Sequence, residues 1–168
     1  MAKLKNKNQK LLFELILYPD PDSKSYEWVT YSLKISEIDG QNKELLSLSS
    51  SEEYTLYLGA HYEKEVLAIC DGMLDVVHGK KECFFFEPID EKDFQFEIKY
   101  TKKKYYVGIF SDDFVVLENY QWNYKSYLGI KMQVEKDDIL DFVKQLKNEY
   151  SKIESHFPGK TYLPKYKK

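Results

Sequence analysis

The chain has 168 residues, of which 43% are hydrophobic, and its 25 basic and 28 acidic side chains give a formal net charge of −3. This length suits one domain whose hydrophobic core needs no disulfide or metal to hold it. Two cysteines, Cys70 and Cys83, are too few for a disulfide scaffold, and their spacing does not fit a zinc site.

Lysines are concentrated at both ends of the chain. Residues 1–10 and 159–168 each contain four lysines and no acid, which leaves 17 basic against 28 acidic side chains, a net of −11, in residues 11–158. We expect a basic disordered N-terminal tail at 1–10, a single α+β domain at 11–157 and a basic C-terminal tail at 158–168. An acidic body without a single arginine disfavours a nucleic-acid partner.

The first apolar run, Leu11–Tyr18, is interrupted by Glu14. A membrane span needs about twenty apolar residues, and a signal peptide needs a longer apolar stretch followed by a cleavage site. We therefore expect a cytoplasmic protein that does not bind membranes.

The same run is the first predicted strand. Leu11–Tyr18 has apolar side chains on both faces, which is typical of a central strand, and the two prolines in 19–22 end it. Glu27–Ile35 alternates cleanly between apolar and polar residues and predicts a second strand, which ends before Asp39 and Gly40.

A helix is predicted next. Apolar residues recur at three- and four-residue spacing from Tyr62 to Val77, and Gly79 supplies a C-terminal stop. Gly72 lies inside this pattern and weakens the helix by up to ~1 kcal/mol relative to alanine. For residues 51–58 the sequence leaves a helical turn and a short strand as alternatives.

The rest of the chain predicts a run of short strands and a closing helix. The strands are Glu82–Glu87, Phe94–Tyr100, Tyr105–Phe110, Phe114–Gln121 and Leu128–Val134. Because no crossover helix fits between them, they must pair as an antiparallel meander. Residues 136–156 carry a continuous apolar stripe. The predicted fold is α+β, an antiparallel sheet of about six or seven strands with two amphipathic helices packed on one face.

Catalytic patterns are missing from the sequence. It contains no phosphate-binding glycine loop, no HExxH, no CxxC and no GxSxG. Each histidine is isolated near a predicted helix boundary. Cys70 and His78 are eight residues apart on one helix, about 12 Å along its axis, which is too far for a nucleophile–base pair. We expect a protein that is not an enzyme and that uses no metal or cofactor.

Two acidic clusters and an aromatic group are the candidate partner-binding residues. They are Asp90, Glu91, Asp93, Asp112, Asp113, Glu118, Tyr120, Trp122 and Tyr124. Tyrosine and tryptophan anchor protein interfaces, and adjacent acids suit a basic partner. Alternatively, the acids bend turns and the rings cover the outer face of the sheet.

Two other functions remain open from the residues. The turn carboxylates would also suit a small metal-dependent hydrolase or nuclease, and an aromatic-lined pocket would suit a small-molecule-binding domain. The sequence leaves the oligomeric state open.

The order of elements resembles a known family. The residues that carry the resemblance are the strand led by Trp28, the helix closing on Gly79, Phe85-Phe86-Glu87-Pro88, Phe94-Gln95-Phe96, the strand ending at Val134 and the helix containing Phe142. Together they resemble the small immunity proteins of Gram-positive polymorphic toxin systems, the WapI-type group in particular. The resemblance implies an antidote that binds and blocks the basic toxin domain of a cognate effector.

Overall fold

The computed structural model describes residues 1–19, 28–38, 43–49, 56–59, 64–89, 94–111, 121–124 and 127–155. For 121–124, 127–128 and 155 the description covers the backbone alone. Within these residues the chain forms ten strands and two helices. The inner faces of the strands and of both helices bury their apolar side chains in one hydrophobic core.

The first half of the chain forms sheet I, in which all pairs are antiparallel. Its strands are β1 (Ala2–Lys5), β2 (Leu11–Pro19), β3 (Trp28–Glu37), β4 (Glu44–Ser49) and β5 (Tyr57–Gly59). The first four lie side by side in chain order, and β5 pairs with the part of β3 that β4 leaves uncovered. The predicted strands at 11–18 and 27–35 are confirmed, and their inward apolar residues are buried.

The second half forms sheet II, which is also antiparallel. Its strands are β6 (Cys83–Phe86), β7 (Gln95–Thr101), β8 (Lys104–Ser111), β9 (Gln121–Tyr124) and β10 (Tyr127–Val134), in the spatial order β6-β7-β8-β10-β9. Four of the predicted strands correspond to β6, β7, β8 and β10. The strand predicted at 114–121 falls outside the described residues except for Gln121, which begins β9.

Both predicted helices are confirmed as α1 (Glu65–Val77) and α2 (Lys136–Ser155). Gly79 follows the C-cap residue His78 and has a φ of 73°. Glycine suits this position because it adopts the left-handed conformation without a side-chain penalty. Each helix packs mainly against the other half of the chain. Helix α1 follows sheet I and touches its strand β5, but it packs chiefly on β6 and β7, whereas α2 follows sheet II and packs on β1 and β2.

The two halves repeat one structure, although the sequence contains no visible repeat. Each half is a four-stranded antiparallel sheet followed by a helix, with β5 and β9 as additions. The strand registers match. The buried row Leu4–Phe13–Ile35–Leu46 crosses β1 to β4, and Phe86–Phe96–Ile109–Ile130 crosses β6, β7, β8 and β10.

The contacts between the halves fit an approximate two-fold axis. Phe13 and Phe96 occupy equivalent positions, and their ring centroids are 6.3 Å apart. Residues on a two-fold axis meet their own equivalents in this way. The same symmetry explains why each helix covers the first two strands of the opposite sheet.

The prediction of a disordered tail at residues 1–10 is wrong. Ala2–Lys5 forms β1, with Ala2 and Leu4 in the core and Lys3 and Lys5 outward. Asn6 holds the following turn, since its Oδ1 accepts the N–H groups of Lys10 at 2.8 Å and Leu11 at 2.9 Å. The lysines suggested a solvated tail, but they occupy only the outward positions of a short strand. The predicted C-terminal tail, 158–168, lies outside the described residues.

The predicted α+β class and the antiparallel pairing are confirmed. The described strands belong to two sheets of five, whereas the prediction placed six or seven in one sheet. The strand β4 was not predicted. Of the undecided segment 51–58, Tyr57 and Leu58 belong to strand β5 and residues 51–55 lie outside the description.

Candidate functional site

One end of the molecule gathers the termini of strands from both sheets. We call it the long-loop end. It is formed by Pro19, Trp28, Ser49 and Gly59 of sheet I and by Phe86, Gln95, Ser111 and Tyr127 of sheet II. The two sheets meet there through the rings of Tyr31 and Phe94, whose centroids are 5.5 Å apart in an edge-on arrangement. The opposite end is the short-turn end, where the N–H of Lys7 donates to the carbonyl of Gln133 at 2.7 Å.

The internal repeat allows each connection at one end to be compared with its equivalent at the other. In all four pairs the longer connection leaves from the long-loop end. The pairs, with the longer first, are 20–27 and 102–103, 50–64 and residue 135, 87–94 and 6–10, and 112–126 and 38–43. A rigid scaffold with long connections at one end is the usual arrangement of a binding site.

The charges of these connections differ as strongly as their lengths. The four long connections contain thirteen acidic residues and four lysines, a net of −9. The four short ones contain two acidic residues and five lysines, a net of +3. The negative excess of the chain is therefore attached to the long-loop end.

The predicted partner-binding residues all belong to this end by their place in the chain. Asp90, Glu91 and Asp93 lie in the connection 87–94, and the other six lie in 112–126. Seven of the nine fall outside the described residues. For Trp122 and Tyr124 the backbone is described, on the edge strand β9, where Trp122 pairs with Gly129.

Exposed apolar side chains surround the long-loop end in the described residues. Ile89, which follows β6, is 60% exposed, and Phe85 and Tyr18 are also exposed. The half-buried rings of Trp28 and Tyr57 lie 6.1 Å apart on sheet I. The sequence interpretation did not select any of these five residues as partner-binding. A sequence signal existed for Tyr18 and Ile89, which lie beside Pro19 and Pro88.

Two buried polar side chains also lie at this end. Glu65, the first residue of α1, is 3% exposed and accepts hydrogen bonds from the backbone N–H groups of Gly59 and Ile89. Gln95 is equally buried, and its Nε2 donates to Glu87 Oε2 at 3.3 Å, while its Oε1 has no hydrogen-bond partner among the described residues. Both side chains hold the backbone or the side chains of the connection 87–94.

The described thiols and histidine do not form a nucleophilic site. Cys70 is fully buried, and burial raises the pKa of its thiol to about 12, so the thiolate that a nucleophile requires is scarce near neutral pH. Cys83 is exposed, and His78 is the C-cap residue of α1. His61 and His156 lie outside the described residues.

Within the described part of the chain, no three His, Cys, Asp or Glu side chains come together closely enough to hold a metal ion. The carboxylates that a metal-dependent hydrolase would use at 90–93 and 112–118 lie outside that part, so this alternative stays a prediction, as does the small-molecule-binding domain. Among the described helices, none has the length and apolar character that a membrane crossing requires.

Comparison with known proteins gives no relative. No family model, no curated protein and no solved structure matches the chain.

Proposed function

We propose that the protein is a non-enzymatic binding module whose long-loop end docks onto a basic protein partner. The observation that carries the proposal is that the longer connection of each equivalent pair leaves from the same end of the molecule. In four of four equivalent pairs the longer connection is at this end, and together the long connections carry a net charge of −9. Such a surface attracts a positively charged partner and repels acidic competitors.

The described apolar side chains supply the second part of an interface. Protein interfaces combine a few large apolar or aromatic anchors with a charged rim. Ile89, Phe85 and Tyr18 are exposed beside the acidic connections. The order of elements, with its resemblance to the WapI-type immunity proteins, supports a more specific version in which the partner is the toxin domain of a cognate effector.

Co-expression with the products of neighbouring genes tests this function, because an antidote is normally encoded beside its toxin. We expect one of them to be a basic protein that forms a stable complex with this chain. We also expect the complex to weaken as salt is raised, since attraction between exposed charges is screened. Failure of every neighbour to bind, or binding that is indifferent to salt, would contradict the proposal.

Charge reversal identifies the binding end. The variant D90K/E91K/D93K should weaken the complex about tenfold or more, mainly through slower association. The matched control E82K/E135K/D141K changes the net charge equally at exposed residues that lie away from the long-loop end. Equal weakening by both variants would show a general charge effect and would remove the assignment to the long-loop end.

A further inference from the structure

The long-loop end contains a buried carboxylate that links the two sheets. Glu65 Oε2 accepts the N–H of Gly59 at 2.6 Å, and Glu65 Oε1 accepts the N–H of Ile89 at 2.8 Å. Gly59 ends β5 of sheet I, where it pairs with Trp28, whereas Ile89 follows β6 of sheet II. One side chain on α1 thus holds backbone from both halves of the molecule.

An apolar contact also joins the sheets at this end. Phe94 of sheet II lies 5.5 Å from Tyr31 of sheet I between ring centroids, and the hydrophobic effect that drives such burial is non-directional. Hydrogen bonds to a carboxylate are directional and charge-assisted. The carboxylate therefore adds a directional link between the sheets to the contact between the rings.

The two bonded amides lie beside acidic parts of the chain. Gly59 comes directly before residues 60–63, which include Glu63, and Ile89 comes directly before Asp90, Glu91 and Asp93. Among the described residues, the symmetry-related end has no such link through a carboxylate of α2. There Asp138 in the first turn of α2 is half-buried, and backbone atoms of Lys7 and Gln133 join the halves.

We propose that Glu65 is a positioning residue that fixes Gly59 of β5 and Ile89 after β6 relative to each other, so that the two acidic connections leave the scaffold from fixed points at the long-loop end. The inference rests on the proposed function for its biological meaning. Its geometric content, a fixed distance between the two sheets at this end, can be measured without a partner.

Nitroxide spin labels measure that distance directly. In a Cys83→Ser background, labels at S49C and I89C report on sheet I and on the connection 87–94, since both side chains are exposed and Cys70 is buried. We expect a narrow distribution of label distances that becomes at least about twice as broad in Glu65→Gln, because an amide nitrogen cannot accept one of the two N–H groups.

Glu149→Gln is the matched control. The Glu149 side chain is 15% exposed and pairs with the N-terminal amine of Met1, so it links a helix to sheet I without bridging the sheets. This variant should lower stability and leave the label distances narrow. If Glu65→Gln keeps the narrow distribution, or if Glu149→Gln broadens it equally, the positioning role is refuted.

Amide exchange in the unmodified protein tests the same link if Glu65→Gln does not fold. One side chain protects both amides, so those of Gly59 and Ile89 should exchange at similar rates and respond alike to denaturant. Independent exchange overturns the proposal.

The two proposals can fail separately. With a basic partner in hand, Glu65→Gln should weaken binding about tenfold more than Glu149→Gln does, because the partner would have to order the connections itself. A missing partner together with the expected label distances would contradict only the proposed function. A confirmed partner together with unchanged distances would contradict only the role of Glu65.

Discussion

The two cysteines differ sharply in burial, and we expect them to differ in reactivity. Cys70 lies on the buried face of α1, and burial raises the pKa of its thiol to about 12, while Cys83 begins the edge strand β6 and is exposed. Because the thiolate is the reactive form, burial and the raised pKa both disfavour reaction at Cys70, whereas Cys83 is accessible.

A thiol reagent should therefore modify one cysteine in the native protein and two in denaturant. The reacting residue should be Cys83, so Cys83→Ser should abolish the fast reaction and Cys70→Ser should preserve it. Absorbance of the released leaving group counts the thiols. Fast modification of Cys70 under native conditions would show that α1 opens readily or packs differently.

Gly72 is a second residue whose effect depends on its contacts. Alanine normally stabilises a helix interior by up to ~1 kcal/mol relative to glycine. A Cβ at Gly72, however, would lie 2.4 Å from the ring atoms of Phe84, which is packed against this face of α1. Helix propensity and packing thus predict opposite signs for the same substitution.

We expect packing to prevail, so that Gly72→Ala destabilises the protein by about 1–3 kcal/mol in denaturant titration. The double variant Gly72→Ala/Phe84→Leu should recover part of that loss, because the smaller side chain frees space. A stabilised Gly72→Ala would mean that the ring moves aside at little cost.

Among the elements, β1 departs furthest from its sequence-based prediction. Four residues with two lysines resemble a solvated tail, yet Ala2 and Leu4 complete the core beside β2. The edge of β1 that does not pair with β2 contacts α2, because the N–H of Lys3 donates to Gln145 Oε1 at 3.1 Å. The strand is therefore part of the domain.

Leu4→Ala tests this element. Leu4 is fully buried, so its truncation should cost about 2–5 kcal/mol of unfolding free energy. Lys5→Ala, one residue further on and exposed, should change stability by less than ~0.5 kcal/mol. Equal, small effects of both substitutions in thermal or denaturant unfolding would instead support the predicted disordered tail at residues 1–10.

The secondary-structure elements were only partly predictable from the sequence. The helices and the strands β3 and β7 were predictable because burial of one face imposes a local period on the residues, and β2 was predictable because its apolar residues form an almost continuous run between breakers. The strand β4 was not, since its Leu45-Leu46 pair breaks the alternation beside a register shift at Ile35 and Ser36. The contacts between a helix and the sheet of the other half leave no pattern in neighbouring residues. The sequence therefore did not predict on which sheet each helix packs.

The candidate site, too, was predictable only where it depends on neighbouring residues. The acidic segments were visible in the sequence, but their attachment to one end depends on strand direction in two separate sheets. Glu65 was not selected, because its role depends on N–H groups that come from residues 59 and 89. A buried glutamate cannot be distinguished by sequence from an exposed one at the start of a helix.

At the scale of the whole molecule, the exchange of helices couples the halves. Neither sheet can keep its inner face covered once the other half unfolds, because each depends on the helix of the opposite half. A single hydrophobic core with this arrangement should unfold in one cooperative transition.

The two tryptophans allow this to be checked, since Trp28 lies in sheet I and Trp122 in sheet II. In Trp122→Phe, fluorescence follows the first half, and in Trp28→Phe it follows the second. Within each variant the fluorescence midpoint in denaturant should coincide with the midpoint from circular dichroism. Separate midpoints would mean that the halves are independent folding units.

The approximate two-fold axis also bears on how the molecule came to have unlike ends. Rotation about that axis exchanges the ends, so a pair of identical half-length chains would present the same face twice. Covalent joining of two halves that differ in sequence removes this restriction, because each half has its own connections. The polarity of the present molecule, with tight turns on one side and long acidic segments on the other, is not available to two identical chains related by such an axis.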